Sequence, residues 1–245
     1  MPDEAASMPY AATARIWRLR DAWADSAGAR VTTRAAGRPL MELERVSYEE
    51  YQQAQHALYR FNTLTNIHQP VLDWLESLRI CDIRSVLDAG NSSGDLLFNM
   101  ACAGVAPVLI GADRSPWTKR TLDVTGDPFP YGANDTIDIV ISSHFIHTLD
   151  DKEVVPFLRW LEATAHKGWM ICERRRHPLL HFAVSCIVKL FSKNRLIRHD
   201  APLSVARGFT REDWERLLAR AGIPLNEVRL RRAFPFRYIL TREKV

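Results

Sequence analysis

Two histidines follow a predicted apolar strand, at the place where an open α/β sheet presents side chains to a ligand. The strand covers Ile137–Ser142, and His144 and His147 come directly after it. A histidine has an ordinary pKa near ~6.5, so it can accept a proton from a hydroxyl at neutral pH. The sequence therefore predicts His144 as the catalytic base and His147 as the second catalytic candidate. The alternative is that they cap the next helix or bond a backbone carbonyl. No third ligand has a suitable spacing, so no metal site is predicted.

A glycine-containing turn lies upstream, between the predicted strand Ser85–Leu87 and the predicted helix Asp95–Cys102. Its sequence is D-A-G-N-S-S-G, from Asp88 to Gly94. Such a turn lets the backbone approach a polar ligand, and the free N–H groups of the helix N-terminus favour negative charge. The next strand, Val108–Ala112, ends at Asp113, which can accept both hydrogen bonds of a ribose diol. The pair of features predicts a nucleoside site.

These motifs resemble those of class I S-adenosylmethionine-dependent methyltransferases, whose turn usually reads D/E-x-G-x-G-x-G. The chain keeps Gly90 and Gly94 but has Ser92 at the place of the middle glycine. We expect a negative φ at Ser92, which a serine adopts without strain, because a positive φ would push the turn away from the nucleoside and leave Asp88, Gly90, Gly94 and Asp113 without a function. The segment G-D-P-F-P-Y-G-A-N-D-T-I-D-I-V resembles the family's L-P-F-P-D-x-S-F-D-V-V, and H-F-I-H-T-L-D follows it. Four later segments resemble a bacterial subgroup that accompanies type III polyketide synthases: S-S-H-F-I-H-T-L-D-D, I-C-E-R-R-R-H-P-L-L-H, L-I-R-H-D-A-P-L-S-V-A-R-G-F-T and F-P-F-R-Y-I-L.

The resemblance implies an α/β fold, with a doubly wound, seven-stranded, mostly parallel sheet of Rossmann-like type and an N-terminal helical cap. Residues 1–46 are expected to be a flexible arm, 47–80 the cap, and 81–245 the methyltransferase domain, with a lid-like insertion at about 174–208. The third strand would be short, at residues 121–123. Gly168 is expected to end the helix that begins near Lys152, and an antiparallel pair of strands is expected to close the sheet.

The resemblance also implies S-adenosylmethionine as the cofactor. Its expected binding residues are Asp88, Ala89, Gly90, Asn91, Gly94, Asp113, Arg114, Asp123, Val124, Ser142 and Ser143. The expected substrate-binding residues are Tyr51, Tyr59, Phe61, Asn62, Arg174 and Arg175. For the arginines, solvated charge is an equally good interpretation. For the cap residues, packing on the sheet is the simpler alternative.

The expected function is methyl transfer to a small-molecule acceptor, a hydroxyl of an aromatic or polyketide-type metabolite first and a ring nitrogen next. A degenerate methyltransferase that serves as a partner subunit is the alternative, and a nucleotide-linked oxidoreductase is less favoured. The net charge of +4 is mild and the arginines are scattered, so nucleic acid is not an expected partner. No apolar run reaches membrane length, and four cysteines without C-x-x-C spacing favour reduced thiols in a cytoplasm. The oligomeric state is not predicted from the sequence, and a homodimer is one possibility.

Overall fold

A computed structural model describes residue 31 and residues 33–42, 46–78, 83–92, 94–106, 108–113 and 137–244. The described helices are α1 (Tyr48–Leu64), α2 (Gln69–Ser77), α3 (Asp95–Cys102), α4 (Asp151–Thr164), α5 (Pro178–Phe191), α6 (Arg195–Ala206) and α7 (Arg211–Ala221). The described strands are β1 (Ser85–Ala89), β2 (Val108–Ala112), β3 (Ile137–Ser143), β4 (Ala165–Arg174), β5 (Arg229–Ala233) and β6 (Arg237–Glu243).

The six described strands form one sheet in the order β2-β1-β3-β4-β6-β5. The first four strands are parallel, and β6 pairs antiparallel with both β4 and β5. The α/β class, the mostly parallel sheet and the closing antiparallel pair are therefore confirmed. The sheet has six strands over the described residues rather than seven, because the expected third strand at 121–123 lies outside them.

The sheet is buried on both faces, as expected for parallel strands covered by helices. One face contributes Ile139, Met170 and Cys172 to a cluster that also includes side chains from α2 and α3. The other face contributes Val140, Trp169 and Ile171 to a cluster with side chains from α4 and α7. Because β1, β2, β3 and β4 are parallel, their carboxyl ends meet at one edge of the sheet.

Local capping signals explain several helix ends. The Ser47 side chain accepts from the Glu50 backbone N–H at the start of α1, and Thr210 and Asp213 form a capping box at the start of α7. Gly222 ends α7 with φ 81. The expectation for Gly168 is wrong: α4 ends at Thr164, and Gly168 lies inside β4. A Cβ there would approach the Arg242 carbonyl oxygen at 2.6 Å, so the glycine serves strand pairing.

The insertion after β4 folds as α5 and α6, and α6 is tied to residues 33–42. Arg207 follows α6 and is 1% exposed. Its guanidinium donates to the carbonyl oxygens of Gly37 at 2.5 Å, His147 at 2.6 Å and Leu149 at 2.7 Å. Asp200 on α6 accepts from the backbone N–H groups of Leu40 and Met41. Residues 33–42, which the sequence assigns to the arm, therefore contact the same loop that carries His147.

No helix among the described residues combines the length and apolarity needed to cross a membrane. Of the three described cysteines, Cys172 is buried in the sheet, whereas Cys102 is exposed at the end of α3.

Candidate active site

The turn between β1 and α3 has, at Gly90, a backbone conformation and a close contact that only glycine tolerates. Gly90 has φ 94 and Gly94 has φ 76, both in the left-handed region. A Cβ on Gly90 would lie 2.3 Å from the Cβ of Phe145, far inside any permitted contact. The backbone N–H groups of Gly90 and Asn91 donate to the Ala112 carbonyl oxygen at 2.7 and 3.2 Å. The turn is thus held against the end of β2.

Ser92 has φ 40, so the prediction of a negative φ at this position is wrong. Ser92 is thus a second left-handed residue of the turn, two positions after Gly90, and its backbone N–H faces Asp113. That N–H donates to Asp113 Oδ2 at 2.8 Å, and Gln55 on α1 donates to the Ser92 hydroxyl at 3.2 Å. These bonds offset the strain, and the turn stays close to Asp113.

We expect Ser92→Gly to raise the free energy of unfolding by about 0–1.5 kcal/mol. Relief of left-handed strain contributes about 1–2 kcal/mol, and the greater backbone entropy of glycine in the unfolded chain removes about 0.5–1 kcal/mol. Urea unfolding of the two proteins measures the difference. Ser92→Ala, which keeps Cβ and loses the hydroxyl, is the matched control and should be less stable than Ser92→Gly. A loss above about 1 kcal/mol in Ser92→Gly would mean that the hydroxyl contact with Gln55 outweighs the strain.

Three carboxylates surround the turn and make this end of the site acidic. Asp88 is 2% exposed, and its Oδ1 has no hydrogen-bond partner. Burial raises the pKa of Asp88 well above its ordinary value, and the nearby charges of Asp95 and Asp113 add to the effect. Asp95 Oδ2 accepts from Asn62 at 3.0 Å and lies 2.8 Å from His68 Nε2. The buried oxygen of Asp88 suits a cationic or hydrogen-bond-donating group of a ligand.

His144 follows β3, the strand that pairs with β1 beside the glycine turn. Its φ is 56, a rare value for a residue with a side chain, and its Nδ1 lies 3.2 Å from the Cys172 carbonyl oxygen. A carbonyl oxygen only accepts, so the network assigns the proton to Nδ1 and leaves Nε2 with a lone pair. Burial lowers the pKa of His144 well below its ordinary value, and the nearby charge of Arg174 adds to the effect. His144 is therefore neutral near neutral pH.

His147 forms a buried pair with Glu173, the penultimate residue of β4. His147 Nδ1 lies 2.9 Å from Glu173 Oε1, and the His147 backbone N–H donates to Oε2 at 3.1 Å. Burial alone would raise the pKa of Glu173, but the charge and hydrogen bond of His147 outweigh it and lower the pKa to about 2. Glu173 is therefore ionised. Its carboxylate fixes the His147 tautomer and would stabilise an imidazolium.

Glu173 is absent from the residues predicted from the sequence. The signal was available, because an acid at the carboxyl end of a strand beside a histidine-bearing loop is a recognisable arrangement. It was missed because the strand that contains Glu173 was interpreted only as part of the core.

One cavity, with a volume of about 670 Å³, is lined both by the glycine turn with Asp113 and by the two histidines. This value lies within the range of about 300–1,000 Å³ that is typical of small-molecule sites. The predicted residues that line the cavity are Tyr51, Asn62, Asp88, Gly90, Asn91, Asp113, Ser143, His144, His147 and Arg174. Further lining comes from residues 38–41 and from α6, which lies in the predicted lid-like insertion. None of these lining residues was among the predicted site residues: Arg38, Pro39, Met41, Ile197, Asp200, Ala201 and Ser204.

The other predicted site residues have different positions. Tyr59 and Phe61 project from α1 with exposures of 49% and 46%, and they do not line the cavity. Arg175 is also outside the lining, and its backbone N–H bonds Phe236. Ala89, Gly94 and Ser142 flank lining residues without lining the cavity themselves. Arg114, Asp123 and Val124 lie outside the described residues.

No protein family profile matches the chain, and no curated protein sequence does. Solved structures do match its fold. The plantazolicin methyltransferase BpumL, in complex with S-adenosylhomocysteine, has a TM-score of 0.59 at 9% identity over 93% of this chain and 100% of that one. Human N-acetylserotonin methyltransferase, in complex with S-adenosylmethionine, has a TM-score of 0.57 at 17% identity over 91% of this chain and 66% of that one. A candidate O-methyltransferase from Nostoc punctiforme has a TM-score of 0.55 at 16% identity over 91% of this chain and 68% of that one. The chain therefore has the class I methyltransferase fold.

Proposed function

We propose that the chain is an S-adenosylmethionine-dependent methyltransferase that acts on a small molecule. One observation carries the proposal: a single cavity has the glycine turn and Asp113 at one end and the His147–Glu173 pair at the other. The first end suits a nucleoside, and the second suits removal of a proton from an acceptor. The likeness in fold to enzymes solved with S-adenosylmethionine or its product supports the same cofactor.

The residues present fit that cofactor. The turn residues Gly90 and Asn91 line the cavity, and Asp88 Oδ1 beside them is a buried oxygen without a hydrogen-bond partner. In the proposal, Asp113 accepts hydrogen bonds from the ribose, while Asp88 faces the positively charged part of the molecule. S-adenosylmethionine, when bound, supplies an electrophilic methyl group on a sulfonium.

His147 is the proposed general base. A phenol with a pKa near ~10 is mostly protonated at neutral pH, and its deprotonation costs about 4 kcal/mol at pH 7. His147 can take this proton because the ionised, buried Glu173 stabilises the imidazolium that forms. His144 presents a neutral imidazole with its lone pair on Nε2, so we assign it a positioning hydrogen bond to the acceptor hydroxyl.

The proposed acceptor is an aromatic or polyketide-type metabolite with a hydroxyl group, and a ring nitrogen is the next choice. The cavity has an apolar wall suited to such a ring, formed by Tyr51, Leu58 and Ile67. The resemblance of the later motifs to proteins that accompany type III polyketide synthases favours this class.

A degenerate methyltransferase is the second candidate, and the left-handed φ of Ser92 is the observation that favours it. Calorimetry with S-adenosylhomocysteine, NAD and NADP separates the candidates. We expect micromolar binding of S-adenosylhomocysteine and none of the dinucleotides. Absence of any nucleoside binding by the wild type would support the degenerate alternative, and preferential binding of NAD would support an oxidoreductase.

Asp113→Ala should weaken S-adenosylhomocysteine binding about ten- to a hundredfold. The carboxylate accepts hydrogen bonds of the charge-assisted kind, which are worth about 1.5–3 kcal/mol. Calorimetric titration measures the change, and Asp73→Ala, which removes an exposed carboxylate from α2, is the control. An unchanged dissociation constant in folded Asp113→Ala protein would exclude Asp113 from the nucleoside site.

A further inference from the structure

Two arginines stand directly opposite each other where β4 meets β6. Arg174 pairs with Arg237 in the antiparallel register, so both side chains lie on the same face of the sheet. Like charges at such positions repel each other. The neighbouring acid, Glu173, projects from the other face because side chains alternate along a strand, and its carboxylate is bonded to His147.

Only one of the two arginines has protein partners for its guanidinium. Arg237 is 4% exposed and donates to the carbonyl oxygens of Ile67 at 2.9 Å and Phe234 at 2.6 Å. The Arg174 side chain donates to no residue that the structure describes, and its Nε is buried without a partner. Arg174 lines the cavity, whereas Arg237 does not. Arg237 is thus a structural cation, and Arg174 is the one that faces the ligand space.

The carboxylates that line the cavity near residues 38–41 and α6 do not neutralise Arg174, because each is bonded elsewhere. Asp150 accepts from Arg38 at 2.9 Å, and Asp200 accepts from two backbone N–H groups. Asp95 is bonded by Asn62 and His68 at the other end. Glu173 attracts Arg174 through its charge but is bonded to His147, so no acid bonds the half-buried guanidinium, which lies beside a second cation and can take a further negative partner.

We propose that Arg174 binds a carboxylate of a small molecule in this cavity. A guanidinium presents a planar fork of N–H donors that matches a carboxylate in a bidentate pair. The proposal rests on the proposed function for the identity of the cavity. It leaves two sources for the carboxylate: the amino-acid tail of the methyl donor, or an acidic group on the acceptor. Binding of a carboxylate would also relieve the repulsion between Arg174 and Arg237.

Arg174→Met, studied by calorimetry, tests the donor source. S-adenosylhomocysteine carries the amino-acid carboxylate, and 5′-methylthioadenosine lacks the whole tail. If the donor is the source, Arg174→Met weakens binding of S-adenosylhomocysteine about ten- to a hundredfold and leaves 5′-methylthioadenosine unchanged. Arg231→Met is the matched control, because Arg231 is an exposed arginine on β5 outside the cavity lining.

Hydroxybenzoates test the acceptor source, with the corresponding hydroxybenzamides as neutral partners. They are titrated into the protein with and without S-adenosylhomocysteine. If the acceptor is the source, the wild type prefers the carboxylates about tenfold or more, and Arg174→Met abolishes the preference. A thermal scan completes the test: we expect an unchanged or higher melting temperature in Arg174→Met, because repulsion from Arg237 is removed.

The proposal is overturned if Arg174→Met changes neither nucleoside binding nor the preference for carboxylates, or if it lowers the melting temperature and affects both nucleosides equally. Failure of the wild type to bind either nucleoside counts against the proposed function instead. The hydroxybenzoate titration without nucleoside then still tests Arg174 by itself.

Discussion

His147→Ala is expected to lower the turnover number about 10²–10⁴-fold, the range that a general base contributes. Affinity for S-adenosylhomocysteine should stay within a few fold, because His147 is bonded to Glu173 on β4, whereas the glycine turn follows β1 and Asp113 follows β2. The physical reason is the pair with Glu173, whose buried carboxylate stabilises the charged imidazole. Single-turnover kinetics and calorimetry measure the two quantities on the same preparation.

Three further variants sharpen that result. His166→Ala removes an exposed histidine from the far end of β4 and should leave turnover unchanged. Glu173→Gln should reduce turnover less than His147→Ala does, because the side-chain shape is kept and only the charge is lost. His144→Ala should have a smaller effect than His147→Ala. The reverse order, with His144→Ala the more damaging, would make His144 the base and His147 the positioning residue.

The pH dependence of stability follows from the two shifted groups. Glu173 has a pKa of about 2 in the fold against an ordinary value of 4.5, so its stabilising contribution is complete above pH 4.5 and is lost as the pH falls through about 2. The pKa of His144 is also lowered, so protonation of this residue in the unfolded chain costs stability as the pH falls below 6.5. Neither group changes charge in the fold near neutral pH. A neutral-range limb in the turnover profile would therefore not arise from either one.

Arg207→Met should lower the free energy of unfolding by about 3–5 kcal/mol, a loss typical of breaking a buried charged network. The substitution removes a guanidinium that is 1% exposed and leaves the carbonyl oxygens of Gly37, Thr148 and Leu149 with fewer donors. Arg207 also bonds the His147 carbonyl, so we expect turnover to fall as well. Urea unfolding measures the loss of stability.

Arg198→Met is the control for Arg207→Met, because Arg198 is an exposed arginine on α6. Its effect should stay within about 0.5 kcal/mol, as for most surface substitutions. A loss below about 1 kcal/mol in Arg207→Met would mean that water replaces the guanidinium at the carbonyl groups. The segment 33–42 would then be held by its other contacts.

The sequence predicted the parts of this fold that local chemistry determines. The capping residues Ser47, Thr210 and Gly222 mark helix ends because they satisfy or terminate backbone hydrogen bonding nearby. The carboxyl edge of the sheet was also predictable, because an apolar strand followed by a polar residue indicates it. Asp113 and His147 were found in this way, and both line the cavity.

Tertiary contacts decided the features that the sequence did not predict. The φ of Ser92 depends on a bond to Asp113, 21 residues away. Gly168 resembles a helix stop, yet it is needed where β4 approaches the Arg242 backbone. Residues 33–42 lack a strong periodic pattern, and their contacts come from Arg207 and Asp200, far along the chain. No local pattern contains such information.

The bonds of Arg207 have a consequence for the order in which the protein is completed. They join Gly37 to a residue 170 positions later and the His147 carbonyl to one 60 positions later. At about 5–20 residues per second, the ribosome needs roughly 10–35 s to make the intervening chain after Gly37. Throughout that time residues 33–42 have no Arg207 to bind, and the loop of His147 has no anchor from α6. This wall of the cavity can therefore reach its final place only after Arg207 has been made.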